Sequence, residues 1–140
     1  MQPGSSEARR VLRILTTNDE GISAPGLWHL AETLGELGPV VVVAPDRDQS
    51  GIGTAMTLRT ALQVQSISSP IDGIEAFSVQ GTPADCVILA TGPLFSEPFD
   101  LLVSGINSGS NLGLDFLVSG TVGGALHGYL RNIPSIATSV

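Results

Sequence analysis

Asn18-Asp19-Glu20-Gly21 places an amide and two adjacent acids at the abrupt end of an apolar run, Val11 to Leu15, that only Arg13 interrupts. Ala24-Pro25-Gly26 and a helical pattern follow. The order is strand, polar turn, helix, and in an open parallel sheet such a turn lies at the carboxyl edge of a strand, where ligands bind. Neighbouring carboxylates repel unless a cation lies between them, and a hard metal ion is the simplest such cation. The plain alternative is a solvated turn that carries two acids, because short motifs match by chance.

Two further polar clusters follow apolar runs. Val40-Val41-Val42-Val43-Ala44 leads into Pro45-Asp46-Arg47-Asp48-Gln49-Ser50-Gly51, and Leu101-Leu102-Val103 leads into Ser104-Gly105-Ile106-Asn107-Ser108-Gly109-Ser110-Asn111. If the three runs are parallel strands, the three clusters share one edge. Their donors are carboxylates, a hydroxyl and amide oxygens, without thiolate or imidazole. That set suits magnesium, manganese or calcium rather than zinc or copper. Gly105, Gly109, Gly120 and Gly123 supply flexible backbone near helix starts, where N–H groups make an anion site. A cation beside an anion cradle points to a phosphate ester as substrate. Each glycine also has the simpler reading of a turn residue. Neither a Gly-Lys-Thr phosphate loop nor Gly-x-Gly-x-x-Gly follows the first strand, which argues against nucleoside-triphosphate and dinucleotide sites of those types.

The elements that must position these clusters are legible by period. Residues 11–16 read as a strand. Pro25 suits a first helical position, and Leu27, Leu30, Ala31, Leu34 and Leu37 recur at helical spacing, so a helix over 25–37 is expected. The unbroken valine run has no polar face and belongs in a sheet covered on both sides. Leu62, Val64 and Ser66 alternate with glutamines as a half-exposed strand or hairpin does, and turn signals at 68–70 and 72–73 separate this from a strand over Glu75–Gln80. Thr82 and Pro83 open a helix as cap and first residue. Val122–Leu130 reads as a helix with a small-residue face, and Ser135–Val140 as a final strand. Segments 51–60 and 112–118 read as irregular. The alternation predicts an α/β fold, three layers α/β/α around a mostly parallel, Rossmann-like sheet. Cys86 lies in an apolar helical stretch and reads as a buried, inert thiol. Trp28, His29 and His127 read as packing or surface residues, and Arg47 as the partner of an acid in its own loop.

The chain has 140 residues, enough for one domain with a real core, and 42% hydrophobic against 14% charged residues. A net charge of −7 argues against nonspecific binding to nucleic acid, which needs a basic face. It leaves small anionic substrates open, because a bound cation reverses the local field. One cysteine excludes an internal disulfide. The apolar runs fall short of the roughly 20 residues of a membrane span, and the polar start resembles no signal peptide. The expectation is a cytoplasmic protein with a flexible leader, 1–10, before a single domain, 11–140, that stops at a strand and is truncated at its C-terminus.

With these residues in view, the chain resembles the SurE family of metal-dependent nucleotidases. The matching stretches are Leu15–Gly26, Val43–Gly51, Gln80–Val87, Leu102–Gly113 and Ser119–Gly123, in family order and over nearly all of the chain after residue 10. The resemblance implies a SurE-like α/β fold and a phosphomonoesterase that hydrolyses nucleoside 5′- and 3′-monophosphates with one divalent metal, magnesium or manganese, calcium being a crystal substitute. It implies metal ligands at Asp19, Glu20, Ser50 and Asn107. Asn18 abuts this group, and Asn111, Ser119, Gly120 and Thr121 match the phosphate-contacting stretch. One of Asp19 and Glu20 would also act as nucleophile or base, and which of them does so stays open. The Gly81–Asp85 motif matches a family signature that Thr82 capping already explains. Family members form homodimers or tetramers.

Two departures stand against the resemblance. The family has a second aspartate where this chain has Glu20, and magnesium tolerates a displaced ligand poorly. Family members continue past the position of Val140 with further sheet, a dimer-forming extension and a histidine implicated in catalysis, which His29 and His127 do not match. The competing expectation is therefore a truncated homologue that binds metal and nucleotide or phosphate without turnover.

Overall fold

The computed structural model describes residues 11–140; the leader read over 1–10 lies outside them. The elements are β1 (Ile14–Thr17), α1 (Pro25–Leu34), β2 (Val40–Pro45), β3 (Val64–Ile67), β4 (Glu75–Val79), α2 (Pro83–Ala90), β5 (Leu101–Asn107), α3 (Leu114–Val118), α4 (Gly120–Leu130) and β6 (Ser135–Ser139). They form one six-stranded sheet in the order β3-β4-β2-β1-β5-β6. Only β3 is antiparallel to its neighbour. Leu15 lies opposite Val41 on one side and Leu102 on the other, and Thr17 opposite Ser104.

The valine run shows why both faces are covered. Val40, Val42 and Ala44 join Ile14, Leu27, Ala31 and Val103 in one core, under α1. Val41 and Val43 join Leu15, Cys86, Val87, Leu102 and Ala125 in the other, under α2 and α4. Each fully buried valine or leucine contributes about 1.5–3 kcal/mol by leaving water. This is the expected three-layer α/β/α arrangement.

Several boundaries differ from the sequence reading: the helix expected over 122–130 begins at Gly120, and the strands expected over 75–80 and 135–140 end one residue earlier, at Val79 and Ser139. The first strand, expected over 11–16, runs Ile14–Thr17. The first helix, expected over 25–37, ends at Leu34, because Glu36 N–H and Leu37 N–H turn to the carbonyls of Thr33 and Leu34 and tighten the last turn. The strand expected to end at Val103 continues to Asn107, so Ser104 and Asn107 are strand residues rather than loop residues. Within 112–118, read as irregular, Leu114–Val118 forms one helical turn. The hairpin is as expected, β3 pairing antiparallel with β4. Cys86 is fully buried, and burial pushes its thiol well above the ordinary range.

The strand order fixes where a ligand belongs. From β1 the chain builds outward through β2 and β4, then returns to add β5 and β6 on the other side of β1. The reversal lies between β1 and β5, and the crevice outside the carboxyl ends of such a pair is the binding position of open α/β sheets.

Candidate functional site at the carboxyl edge

The loop after β1 is locked from within. Asn18 Nδ2 donates to Gly21 O at 2.9 Å, and Gly21 N–H donates to Asn18 Oδ1 at 3.2 Å. The fully buried Asn18 amide thus braces the turn in which Gly21 takes φ +106°, and is spent on the loop. Ile22 N–H then donates to Pro45 O, and Gln49 N–H to Asp19 O, stitching this loop to the one after β2.

Asp19 is only 3% exposed. Burial is the largest influence on its carboxyl and raises its pKa above the ordinary 3.8; Asp48 adds to the rise. The hydroxyl and amide of Thr121 pull it back, yet Oδ1 has no hydrogen-bond partner. Asp19 Oδ1 and Thr121 Oγ1 are both buried and both without a hydrogen-bond partner. A buried acceptor left without a donor costs about 1–3 kcal/mol, more when it is charged.

The neighbours converge on this point. Glu20 Oε1 accepts from Ser108 N–H at 3.1 Å, bridging the crevice between the β1 and β5 loops one residue from Asn107. Asn107 Nδ2 donates to Gly109 O at 2.9 Å. Ser50 donates from both Oγ (2.5 Å) and N–H (2.9 Å) to Asp48 Oδ1, and these bonds hold the Asp48 carboxyl below its ordinary range. Asn111 makes no side-chain hydrogen bond among the described residues. Ser119 caps α4, its Oγ accepting from Val122 N–H at 3.2 Å. Gly120 lies against Asp19, where an added Cβ would stand 2.8 Å from the Asp19 Cβ and 3.0 Å from Ile52 Cγ2. Arg47 pairs with Asp46 at 3.2 Å, as expected for an acid of its own loop.

The structure therefore brings the loops of Asp19, Glu20 and Ser50, the end of β5 at Asn107 and the first turn of α4 to one place. Among the described residues no three His, Cys, Asp or Glu side chains gather into a metal cluster. A cation here would rest on Asp19, Glu20 and the neutral oxygens of Ser50 and Asn107. The unpartnered buried oxygen of Asp19 fits that role, and one or two carboxylates completed by substrate oxygens is how magnesium is usually held. A separate cavity of about 560 Å³, lined by residues including Phe95, Phe99 and Arg131, lies at the opposite edge, away from these groups.

Sequence reasoning missed three features. Asp48 holds Ser50, and the Asp-x-Ser spacing is the turn signal that would have shown it. The hydroxyls of Thr17 and Ser104, opposite each other on β1 and β5, are buried without partners beneath α4. His127 Nε2 and the Thr82–Asp85 pair bind the segment after Ser50, which no local pattern announces.

Comparison with known proteins agrees with this fold. The family model described as Survival protein SurE matches residues 14–140. The chain is 61% identical over 129 residues to 5′-nucleotidase SurE of Dehalococcoides mccartyi, covering 92% of this chain and 49% of that protein. It is 50% identical to 5′-nucleotidase SurE of Geotalea uraniireducens over 92% of this chain and 50% of that protein. The crystal structure of the SurE protein from Aquifex aeolicus superposes with a TM-score of 0.78 at 44% identity, over 91% of this chain and 50% of that one. The chain thus spans about half the length of the curated relatives it matches. With a family model matched from β1 to the last residue and the same sheet beneath it, the chain belongs to the SurE family.

Proposed function

We propose that this chain carries the metal and phosphate site of a phosphomonoesterase that hydrolyses nucleoside 5′-monophosphates, and 3′-monophosphates as well, in the cytoplasm. The observation that carries the reading is Asp19 Oδ1: a buried carboxylate oxygen without a donor, at the topological switch point, against the N-terminal turn of a helix. Curated relatives named 5′-nucleotidase SurE support the substrate class. Among the described residues no helix is long and apolar enough to cross a membrane.

Asp19, Glu20, Ser50 and Asn107 would hold one magnesium or manganese ion. When bound, such an ion withdraws charge from a phosphoryl group and makes water a better nucleophile at neutral pH. The chain's own groups do the rest. Ser119, Gly120 and Thr121 begin α4, and the N–H groups of that first turn suit a phosphate. Asn111 adds an amide from the loop after β5. Ile52 packs on Gly120 beside Asp19. One of Asp19 and Glu20 would take the proton from attacking water through a carboxylate oxygen that the cation does not occupy.

A second reading, binding without turnover, has one observation in its favour: Glu20 Oε1 is already engaged by Ser108 N–H. Phosphate release from nucleoside monophosphates, measured with manganese, magnesium or chelator, tests both. Metal-dependent release supports the enzyme. Release only by Glu20→Asp assigns the defect to Glu20. No release by either, with a manganese-dependent rise in melting temperature retained, establishes the binding reading.

A further inference from the structure

The segment after Ser50 is held by a main-chain anchor at the end of α3 and by side-chain anchors from α2 and α4. Gly53 N–H donates to Val118 O at 2.8 Å. His127 of α4 contacts Thr54 O through Nε2 at 3.2 Å, while Arg131 Nη1 lies 3.3 Å from Nδ1. A carbonyl only accepts and a guanidinium only donates, so the imidazole carries its proton on Nε2 and donates to Thr54. Thr82 Oγ1 donates to Ala55 O at 2.6 Å. Asp85 accepts from Thr57 N–H and Thr57 Oγ1, both at 2.7 Å, and from Thr82 N–H at 2.9 Å. Asp85 is 1% exposed and His127 7% exposed. Helix capping needs only the reciprocal Thr82–Asp85 bonds. It does not need Thr57, 28 residues away, and a buried carboxyl and imidazole both aimed at one loop ask for a further reason.

That loop begins at Ser50 and lays Ile52 against Gly120 beside Asp19. We propose that Asp85, Thr57 and His127 are positioning residues that strap residues 51–57 across α2 and α4, and so hold Ser50 where it completes the cation site. The proposal rests on the metal reading given above. Partners that orient a ligand without touching the metal typically set about 10- to 100-fold in metal affinity.

The test uses Thr57→Val, which removes one hydroxyl and keeps the backbone bond, His127→Leu, and His127→Gln, whose amide N–H reaches the place of Nε2. Two quantities are read without reference to turnover: the manganese concentration that half-saturates the rise in melting temperature, and the rate of trypsin cleavage after exposed Arg59, identified by fragment mass. Expected are a manganese requirement raised about tenfold in His127→Leu and severalfold in Thr57→Val, faster cleavage in both, and recovery of both readouts in His127→Gln. Should His127→Leu fail to fold, Thr57→Val alone decides. Unchanged cleavage overturns the strap; faster cleavage with an unchanged manganese requirement overturns its role in positioning. A parent chain without any manganese-dependent shift overturns the metal reading itself, and the positioning role with it, whereas a shift shared equally by parent and variants overturns only the latter.

Discussion

The Cβ of Asp19 lies where a side chain on Gly120 would have to go, 2.8 Å from an ideal Cβ there. The acid of the β1 loop and the first residue of α4 are thus packed face to face, and the absence of a side chain at 120 is what permits it. Gly120→Ala should force the two apart and cost about 1–3 kcal/mol. Urea unfolding of the metal-free chain checks the loss, and an unchanged midpoint would show that the loop yields freely.

Asp19 also sets a pH dependence. Its folded pKa is raised by burial above the unfolded 3.8, so the folded chain holds this proton more tightly than the unfolded chain does. The contribution is fully present below about 3.8 and is lost as pH rises through the raised value. Asp48, held below its ordinary range by Ser50, has the opposite sign, but it is exposed and its contribution is screened. In chelator, Asp19→Asn should therefore flatten the fall in melting temperature above pH 4 and leave the neutral-pH protein more stable than the parent. A steeper fall in the variant would contradict the assignment.

Thr82 joins the cap of α2 to the segment after Ser50, accepting from Asp85 N–H and donating to Ala55 O. Thr82→Ala should remove both bonds and cost about 2 kcal/mol, near the upper end for a lost cap. Thr82→Ser, which keeps the hydroxyl, should recover most of it. Amide exchange at Asp85 and Cys86 reports whether the first turn of α2 frays.

Leu27 is fully buried in the core beneath α1. Leu27→Ala leaves a cavity there and should cost about 2–5 kcal/mol. Since α1 starts at the end of the Asn18–Ala24 turn, the same variant should also weaken protection of the Gly21 and Ile22 amides.

The sheet was legible because its residues repeat. Val40–Ala44 could only be a strand covered on both faces, and Thr82-Pro83 could only open a helix. Position relative to an edge was legible too: Asp19, Ser50 and Asn107 each end a strand or follow one closely, and topology carries all three to the same crevice. What escaped was whatever depends on contacts between distant segments. Asn18 next to two acids resembles a ligand, but its amide closes its own turn. His127 looks like packing in a small-residue helix until Thr54, 73 residues earlier, is found against it. The end of α1 was misjudged because Leu37 keeps the helical spacing while the backbone has already tightened into a turn.

The strap has a consequence for redesign. At Thr54 and Ala55 the helices grip main-chain carbonyls, and both residues are exposed. The sequence there is uncoupled from the fastening. Those two positions can be randomised in a library while the anchors stay constant, which makes them the natural place to graft new recognition beside a site whose scaffold is left untouched.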